Sequence, residues 1–282
     1  MRDQVNGQLR TEDQRSGFTL VELLVVVSII ALLLSILLPS LKKAREQAKQ
    51  VVCRSNQHQL MIAWQQYAAE YSDKIVNGNT GTIAQGTAPD TGEDCWVGFT
   101  NKPLVDMLPD HTPEEQIHDI KVGALWPYTK NEELYACPTM VEGVMRNYAI
   151  VDRMNGHDPG LVNRRVIRTT SRIVNPSTQL VLMDLGQQTA ASWTSFWYEP
   201  YWMEPISTRH TNGSTFSFAD GHVDHWSWTH PNTREVGAMT LYQYLLKARF
   251  TWRLSGGENN IDLYRIQKAA WGGKLDYQLG VP

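Results

Sequence analysis

The sequence predicts an α+β fold in which a long N-terminal helix packs on a small antiparallel sheet. Three observations carry this expectation. Residues 18–38 hold 17 apolar side chains in 21 positions, and small or apolar residues then recur at mostly 3–4-residue steps to about Tyr71. Four short segments read as strands: 146–151, 179–184, 214–218 and 223–228. The last two are joined by Ala219-Asp220-Gly221-His222, and Asp-Gly between alternating apolar residues signals a two-residue hairpin turn because Gly tolerates positive φ.

Composition bounds the rest. The chain has 282 residues, 42% of them hydrophobic, with 6 Phe, 11 Tyr and 10 Trp and a net charge of -3. Disordered chains combine low apolar content with high net charge, so disorder is excluded. A pI near 6.2 gives no drive toward nucleic acid. The mean hydropathy of -0.36 looks like an ordinary soluble protein. That value averages two materials: one very apolar segment and a soluble-looking body.

At 1.5 Å per residue, the 21 positions of 18–38 span roughly 32 Å, about the hydrocarbon thickness of a bilayer. A secretory signal peptide has a shorter apolar core and a small-residue cut site after it. Here Leu38-Pro39-Ser40-Leu41-Lys42-Lys43 offers no small-x-small site. A buried core helix this apolar would be unusual at an N-terminus. A single-pass anchor is the better physical reading. Glu22 breaks its pattern, since a carboxylate inside a span costs about 2.5–3.5 kcal/mol at the centre and less near an end. Either it snorkels to the interface or another chain supplies a positive partner.

Arg15-Ser16-Gly17-Phe18-Thr19-Leu20-Val21-Glu22 resembles the class III signal of type IV prepilins and type II secretion pseudopilins. The resemblance implies that a prepilin peptidase cuts between Gly17 and Phe18 on the cytoplasmic face and methylates Phe18. Residues 1–17 are then a leader, 18–38 a transmembrane and assembly helix, 39–72 an amphipathic continuation of that spine, and 73–282 a pilin-like body on the periplasmic side of the inner membrane. The resemblance also gives Glu22 its partner, the N-terminal amine of a neighbouring subunit. Pro39 falls where such helices often kink. The leader charges cancel (Arg2, Arg10 and Arg15 against Asp3, Glu12 and Asp13), while Lys42, Lys43 and Arg45 lie beyond the span. A positive-inside count is therefore ambiguous, and orientation rests on the processing motif.

Beyond the span, the stripe reads Ala44, Ala48, Val51, Val52, Ser55, Ile62, Trp64 and Tyr67, with His58 and Gln65 as surface or packing residues. Turn formers dominate 77–113, a short helix is expected over 114–128, and another over 233–254 with Leu241, Tyr244, Leu245, Ala248 and Trp252 on one side. Gly237 weakens its first turns. Arg209-His210, nine residues, then Asp220-Gly221-His222 resembles the H-X9-DG region (about 209–226) found downstream of prepilin signals. Cys53-Arg54-Ser55-Asn56-Gln57, the Cys137-Pro138 segment, and Pro176-Ser177 before Asp184 resemble other parts of that family. The resemblance spans roughly residues 15–226 and implies no role for the H-X9-DG region.

Asp184, His210, Asp220, His222, Asp224 and His225 include hard and borderline metal ligands. Three readings stay open: His210 hydrogen-bonded to Asp220 across the hairpin base, a structural Ca2+ or other cation held by residues such as Asp184, His210 and Asp220, or catalysis. No Gly-x-Ser-x-Gly, His-Glu-x-x-His or P-loop pattern occurs, so no enzyme activity and no other cofactor is expected. Three cysteines allow one pair and a leftover, or three thiols. The family resemblance favours Cys53 with Cys137. Trp193, Trp197, Tyr198, Tyr201 and Trp202 form either a covering loop or a contact surface. The expected function is a structural or minor subunit of a type IV pilus or type II secretion pseudopilus. Its expected partners are the prepilin peptidase, other pilin-like subunits and the inner membrane, with no nucleic acid. The alternative is a membrane-anchored envelope module that binds carbohydrate or protein through 193–202.

Overall fold

Helix α1 (Leu20–Glu70) is the first element of the computed structural model, and it continues without interruption through Pro39. The structure describes residues 19–80, 92–98, 112–140, 143–156, 166–186, 192–204, 206–239, 243, 246–247, 254–273 and 275–279. The chain divides into two compact units, 1–45 and 46–282.

In the first unit, α1 buries none of its apolar side chains within the chain; large ones range from 45% exposed at Val26 to 79% at Leu20. Its serines do not offer free hydroxyls. Ser28, Ser35 and Ser40 donate back to the carbonyls of Leu24, Leu32 and Leu37 at 2.7, 2.7 and 2.8 Å. The helix is long and apolar enough to cross a membrane by length and composition.

In the second unit, α1 buries Cys53, Gln57, Leu60, Met61, Ala63, Trp64, Tyr67 and Ala68. Most of these follow the i, i+4, i+7, i+8 spacing of one helix face. Only two of the eight expected stripe residues, Trp64 and Tyr67, lie on this face; Ala44, Ala48, Val51, Val52, Ser55 and Ile62 are exposed. The face is set by Cys53 and Gln57, which a search for apolar residues passes over. The helix ends at Glu70, where Ser72 and Asp73 turn left-handed.

The expected strands all form: β3 (Tyr148–Val151), β4 (Leu180–Asp184), β7 (Gly213–Phe218) and β8 (Val223–Ser227). With β5 (Ser192–Trp193) they make a sheet of order β5-β3-β4-β7-β8. It is antiparallel except at β3–β5, which pair in parallel. Shorter strands lie outside it. The loop-rich stretch contains β1 (Asn77–Thr80), paired in parallel with β2 (Cys95–Val97), and β6 (Tyr201–Trp202) pairs with β9 (Leu254–Ser255).

Strand β7 is buried along all six residues and has two distinct faces. Thr215 and Ser217 face α1, where they hydrogen-bond Gln57 at 2.7 and 2.8 Å. Phe216 and Phe218 face the other way and pack on Trp226 at 4.5 and 6.0 Å between ring centroids. Helix α5 (Ile261–Ala270) sets Arg265 over Trp226 at 3.7 Å. The sheet thus lies between the spine helix and elements of the C-terminal region.

Two expectations change for steric reasons. The helix over 114–128 splits into α2 (Pro113–Lys121) and α3 (Trp126–Thr129). A Cβ at Gly123 would meet the Trp96 carbonyl oxygen at 2.2 Å, so strand β2 passes where a side chain would project. Helix α2 starts on a capping box in which Thr112 and Glu115 satisfy each other's backbone N–H groups. Over 233–254, helix α4 (Pro231–Gly237) ends at the glycine, Leu254 belongs to β9, and Leu241, Tyr244, Leu245, Ala248 and Trp252 lie outside the described residues.

The hairpin between β7 and β8 is also longer than expected. Phe218 donates to the His222 carbonyl at 3.0 Å and Gly221 donates back to the Phe218 carbonyl at 2.8 Å. Gly221 has φ +93°, whereas Asp220 does not adopt positive φ. A two-residue type I′ turn needs positive φ at both centres, so the loop is a three-residue turn closed by a glycine bulge. Gly221→Ala should lower stability by about 1–2 kcal/mol, because the torsion resists a Cβ although it would meet the Gln65 amide only at an ordinary contact distance of 3.4 Å. Asn, which tolerates left-handed backbone, should cost less. Urea unfolding of the two variants beside the native chain measures both.

Candidate functional site

The H-X9-DG residues do not meet one another. His210 precedes β7 and Asp220 follows it, so a six-residue strand of roughly 20 Å separates them. Asp220 is exposed and bonds its neighbour His222 through Nδ1 at 2.6 Å. The expected His210–Asp220 bond across the hairpin base therefore does not form.

The Asp-Gly end meets helix α1 instead. Arg54 donates to the Val223 carbonyl at 2.7 Å and Gln65 to the Ala219 carbonyl at 3.1 Å, while His58 Nδ1 lies 2.8 Å from the Gly221 carbonyl. The two residues read as surface or packing groups thus contact the hairpin directly. With Gln57 buried on Thr215 and Ser217, these contacts clamp the spine to the β7–β8 hairpin.

At the other end of β7, His210 enters a buried polar cluster. Arg209, His210, Thr211 and Asn212 form a short turn in which the last three have φ of 53°, 67° and 61°. Left-handed backbone costs non-glycine residues roughly 1–2 kcal/mol each, so the surroundings must hold this turn in place. It aims His210 Nε2 at the Cys137 sulfur, 3.0 Å away. Cys53, reaching in from α1, lies 3.1 Å from the Tyr148 hydroxyl and 3.3 Å from the Thr215 hydroxyl. Asp184, at the end of β4, is wholly buried and paired with Arg209. Asn147 links the parts: its amide bonds Asp184 and its carbonyl oxygen accepts from the Cys137 N–H at 2.6 Å. Ligand atoms of Cys53, Cys137, Asp184 and His210 all lie within 4.8 Å of one another.

The electrostatics follow from burial and these contacts. Hydrogen bonding from Cys53, His210 and Thr139, with the nearby Arg209 charge, holds the Cys137 thiol well below the usual range against the effect of burial. Burial, and hydrogen bonding to Cys137, push Cys53 up. Burial raises Asp184 to about 6 although Arg209 opposes it. Burial disfavours the charged form of His210, but Cys137, Asp184 and Glu46 raise it overall. Glu46 reaches to 3.2 Å of His210 Nδ1.

Both Cys53 and Cys137 are thiols in the structure, as is Cys95, which is buried in β2. The sequence reading grouped Asp184 with His210 and Cys53 with Cys137, but as two separate sets. Arg209, Asn147 and Glu46 were missed as site residues, since only the folded chain brings them together. In the aromatic segment, Trp193 and Trp202 are buried core residues, while Trp197, Tyr198 and Tyr201 are partly exposed.

The N-terminal end of α1 is the second candidate site. Gly17 and Phe18 lie outside the described residues. Thr19 and Glu22 form a capping box. The Thr19 N–H and hydroxyl donate to the Glu22 carboxylate at 2.8 and 2.7 Å, and the Glu22 N–H donates to the Thr19 hydroxyl at 3.3 Å. The Thr-x-x-Glu spacing of Thr19 and Glu22 is the sequence signal of this cap.

The model of the prokaryotic N-terminal methylation motif matches residues 13–38. The N-terminus is thus of the kind carried by type IV pilin-like precursors, and with the apolar helix it fits a single-pass membrane-anchored chain. Searches against curated proteins and against solved structures give no match.

Arg209→Met should leave the Asp184 carboxylate buried without its cation. Breaking a buried pair from one side costs about 3–5 kcal/mol. A fall of that size in unfolding free energy, with Lys247→Ala at the exposed Glu235 pair falling by less than about 1 kcal/mol, is the expected outcome.

Proposed function

We infer that the chain is a prepilin-like precursor that is cut after Gly17, methylated at Phe18 and assembled as a structural or minor subunit of a type IV pilus or type II secretion pseudopilus. The observation that carries this reading is the methylation motif over residues 13–38, falling on the start of a helix whose apolar side chains from Leu20 to Leu41 are exposed among the described residues. Exposed apolar surface on that scale needs lipid or other apolar helices around it.

The assembly mechanism follows from the same residues. Cleavage would place a new amine at Phe18, four positions before Glu22. The Glu22 carboxylate sits in the first helical turn, where the helix dipole favours a negative charge. Its capping bonds to Thr19 leave lone pairs for a cation, since a carboxylate offers about four acceptor sites. The N-terminal amine of a neighbouring subunit fills that role and offsets the cost of burying Glu22. The prepilin peptidase and other pilin-like subunits are the partners, the inner membrane is the anchor, and the body stands on the periplasmic side. The clamp on the β7–β8 hairpin supports a body in which the second half of α1 is an integral element. Burial of Trp193 and Trp202 favours a packing role for the aromatic segment over an envelope-binding one.

Gly17→Ala should block processing. Coexpressed with a prepilin peptidase, the native chain should shorten by 17 residues on a gel while the variant keeps its full length; equal shortening of both refutes the cut site. Glu22→Ala should still be cut but should enter filaments at least tenfold less than the native chain in sheared fractions. Equal incorporation removes the pairing role.

A further inference from the structure

We propose that Cys53, Cys137, His210 and Asp184 form a buried tetrahedral site for a zinc-class divalent cation that ties helix α1 to the sheet. The four ligands come from four separate segments: α1, the turn after residues 132–135, the end of β4 and the left-handed turn before β7. Their ligand atoms already lie within 4.8 Å of one another. Tetrahedral zinc with bonds of about 2.3 Å to sulfur and about 2.0 Å to nitrogen places those two atoms roughly 3.5 Å apart. The 3.0 Å contact between Cys137 and His210 would need to open by about half an ångström to admit the ion.

The donor set selects the ion. Two sulfurs and an imidazole suit zinc, whereas Ca2+ and Mg2+ require oxygen ligands. Around these ligands stand the groups that metal sites use to orient them. Glu46 lies 3.2 Å from His210 Nδ1 as a close charge and not a hydrogen bond, and Nε2 is the ring nitrogen aimed at Cys137. Asn147 and Arg209 hold Asp184, and Asn147 also fixes the Cys137 backbone at 2.6 Å. The three anionic ligands, two thiolates and one carboxylate, are offset by Arg209 and a divalent cation, with the Glu46 carboxylate a further negative charge at the more exposed edge of the site. Binding displaces the remaining thiol protons to solvent and changes no oxidation state.

A Cys53–Cys137 disulfide would use both sulfurs and leave unexplained why His210 and Asp184 converge on them. Three successive left-handed residues, His210 to Asn212, also mark the kind of strained backbone found at ligand clamps. The near-complete burial of all four side chains denies a substrate access to the sulfur, which fits a structural metal and not a nucleophile. This proposal does not depend on filament assembly.

The test uses the full chain purified in detergent, without chelators and with a tag that binds no metal. Elemental analysis should find about one zinc per chain, and Cys53→Ser and Cys137→Ser should each lose at least tenfold. Because loss of either cysteine can also unfold the chain, the native chain supplies a second measurement. After chelator treatment, added Co2+ should give the intense visible bands of a tetrahedral thiolate site, and both cysteines should resist alkylation until the metal is removed. Zinc retained by both variants would place the ion elsewhere and overturn the proposal. So would a native chain that binds neither Zn2+ nor Co2+, whether its cysteines are free or linked to each other in a non-reduced peptide map.

Discussion

The second half of helix α1 depends on polar side chains to meet the sheet. Gln57 is fully buried, yet its amide donates to Thr215 and accepts from Ser217. A buried amide without partners would cost more than its packing returns, so the register of the helix against β7 is narrowly set. A shift of one residue along the helix would rotate Gln57 by about 100° away from these partners. The small side chains on that face of β7 also let α1 come close enough for Cys53 to reach Tyr148 and Thr215.

This geometry gives the nine-residue spacing between His210 and Asp220 a physical meaning. Two residues finish the left-handed turn, six form β7 and one opens the hairpin. The spacing acts as a ruler that keeps a buried cluster at one end of a central strand and a helix-gripping loop at the other. Histidine and aspartate are thus linked by a common strand and not by contact. Each end needs its own chemistry: His210 a buried ring aimed at sulfur, Gly221 a torsion that side chains resist.

Much of the sheet was legible because its strands are short apolar runs bounded by turn residues, as in 180–184 and 223–227. The face of α1 was less so, since Cys53 and Gln57 are buried for their hydrogen-bonding atoms and Val51 and Val52 stay exposed. Strands such as β5, β6 and β9 are two residues long and leave no periodic trace. The split at Gly123 depends on a strand some 25 residues earlier in the chain. Site chemistry followed the same division. The prepilin-like start and its Glu22 could be read along the chain, whereas the convergence of Cys53, Cys137, Asp184 and His210 depends on tertiary packing. Arg209, Asn147 and Glu46 are ordinary polar residues until the fold places them.

The helix contacts from Arg54, His58 and Gln65 to the hairpin backbone have a mechanical side. They span eleven residues of α1, roughly 16 Å of its length. Tension drawn along this helix would load these bonds sideways and together, as a lap joint carries shear, and not one after another as in peeling. The receiving element is β7–β8, whose strands exchange backbone bonds over five residue pairs. A spine seated this way passes force into the hairpin at one edge of the sheet, and β7 then hands it to the interior through its pairing with β4.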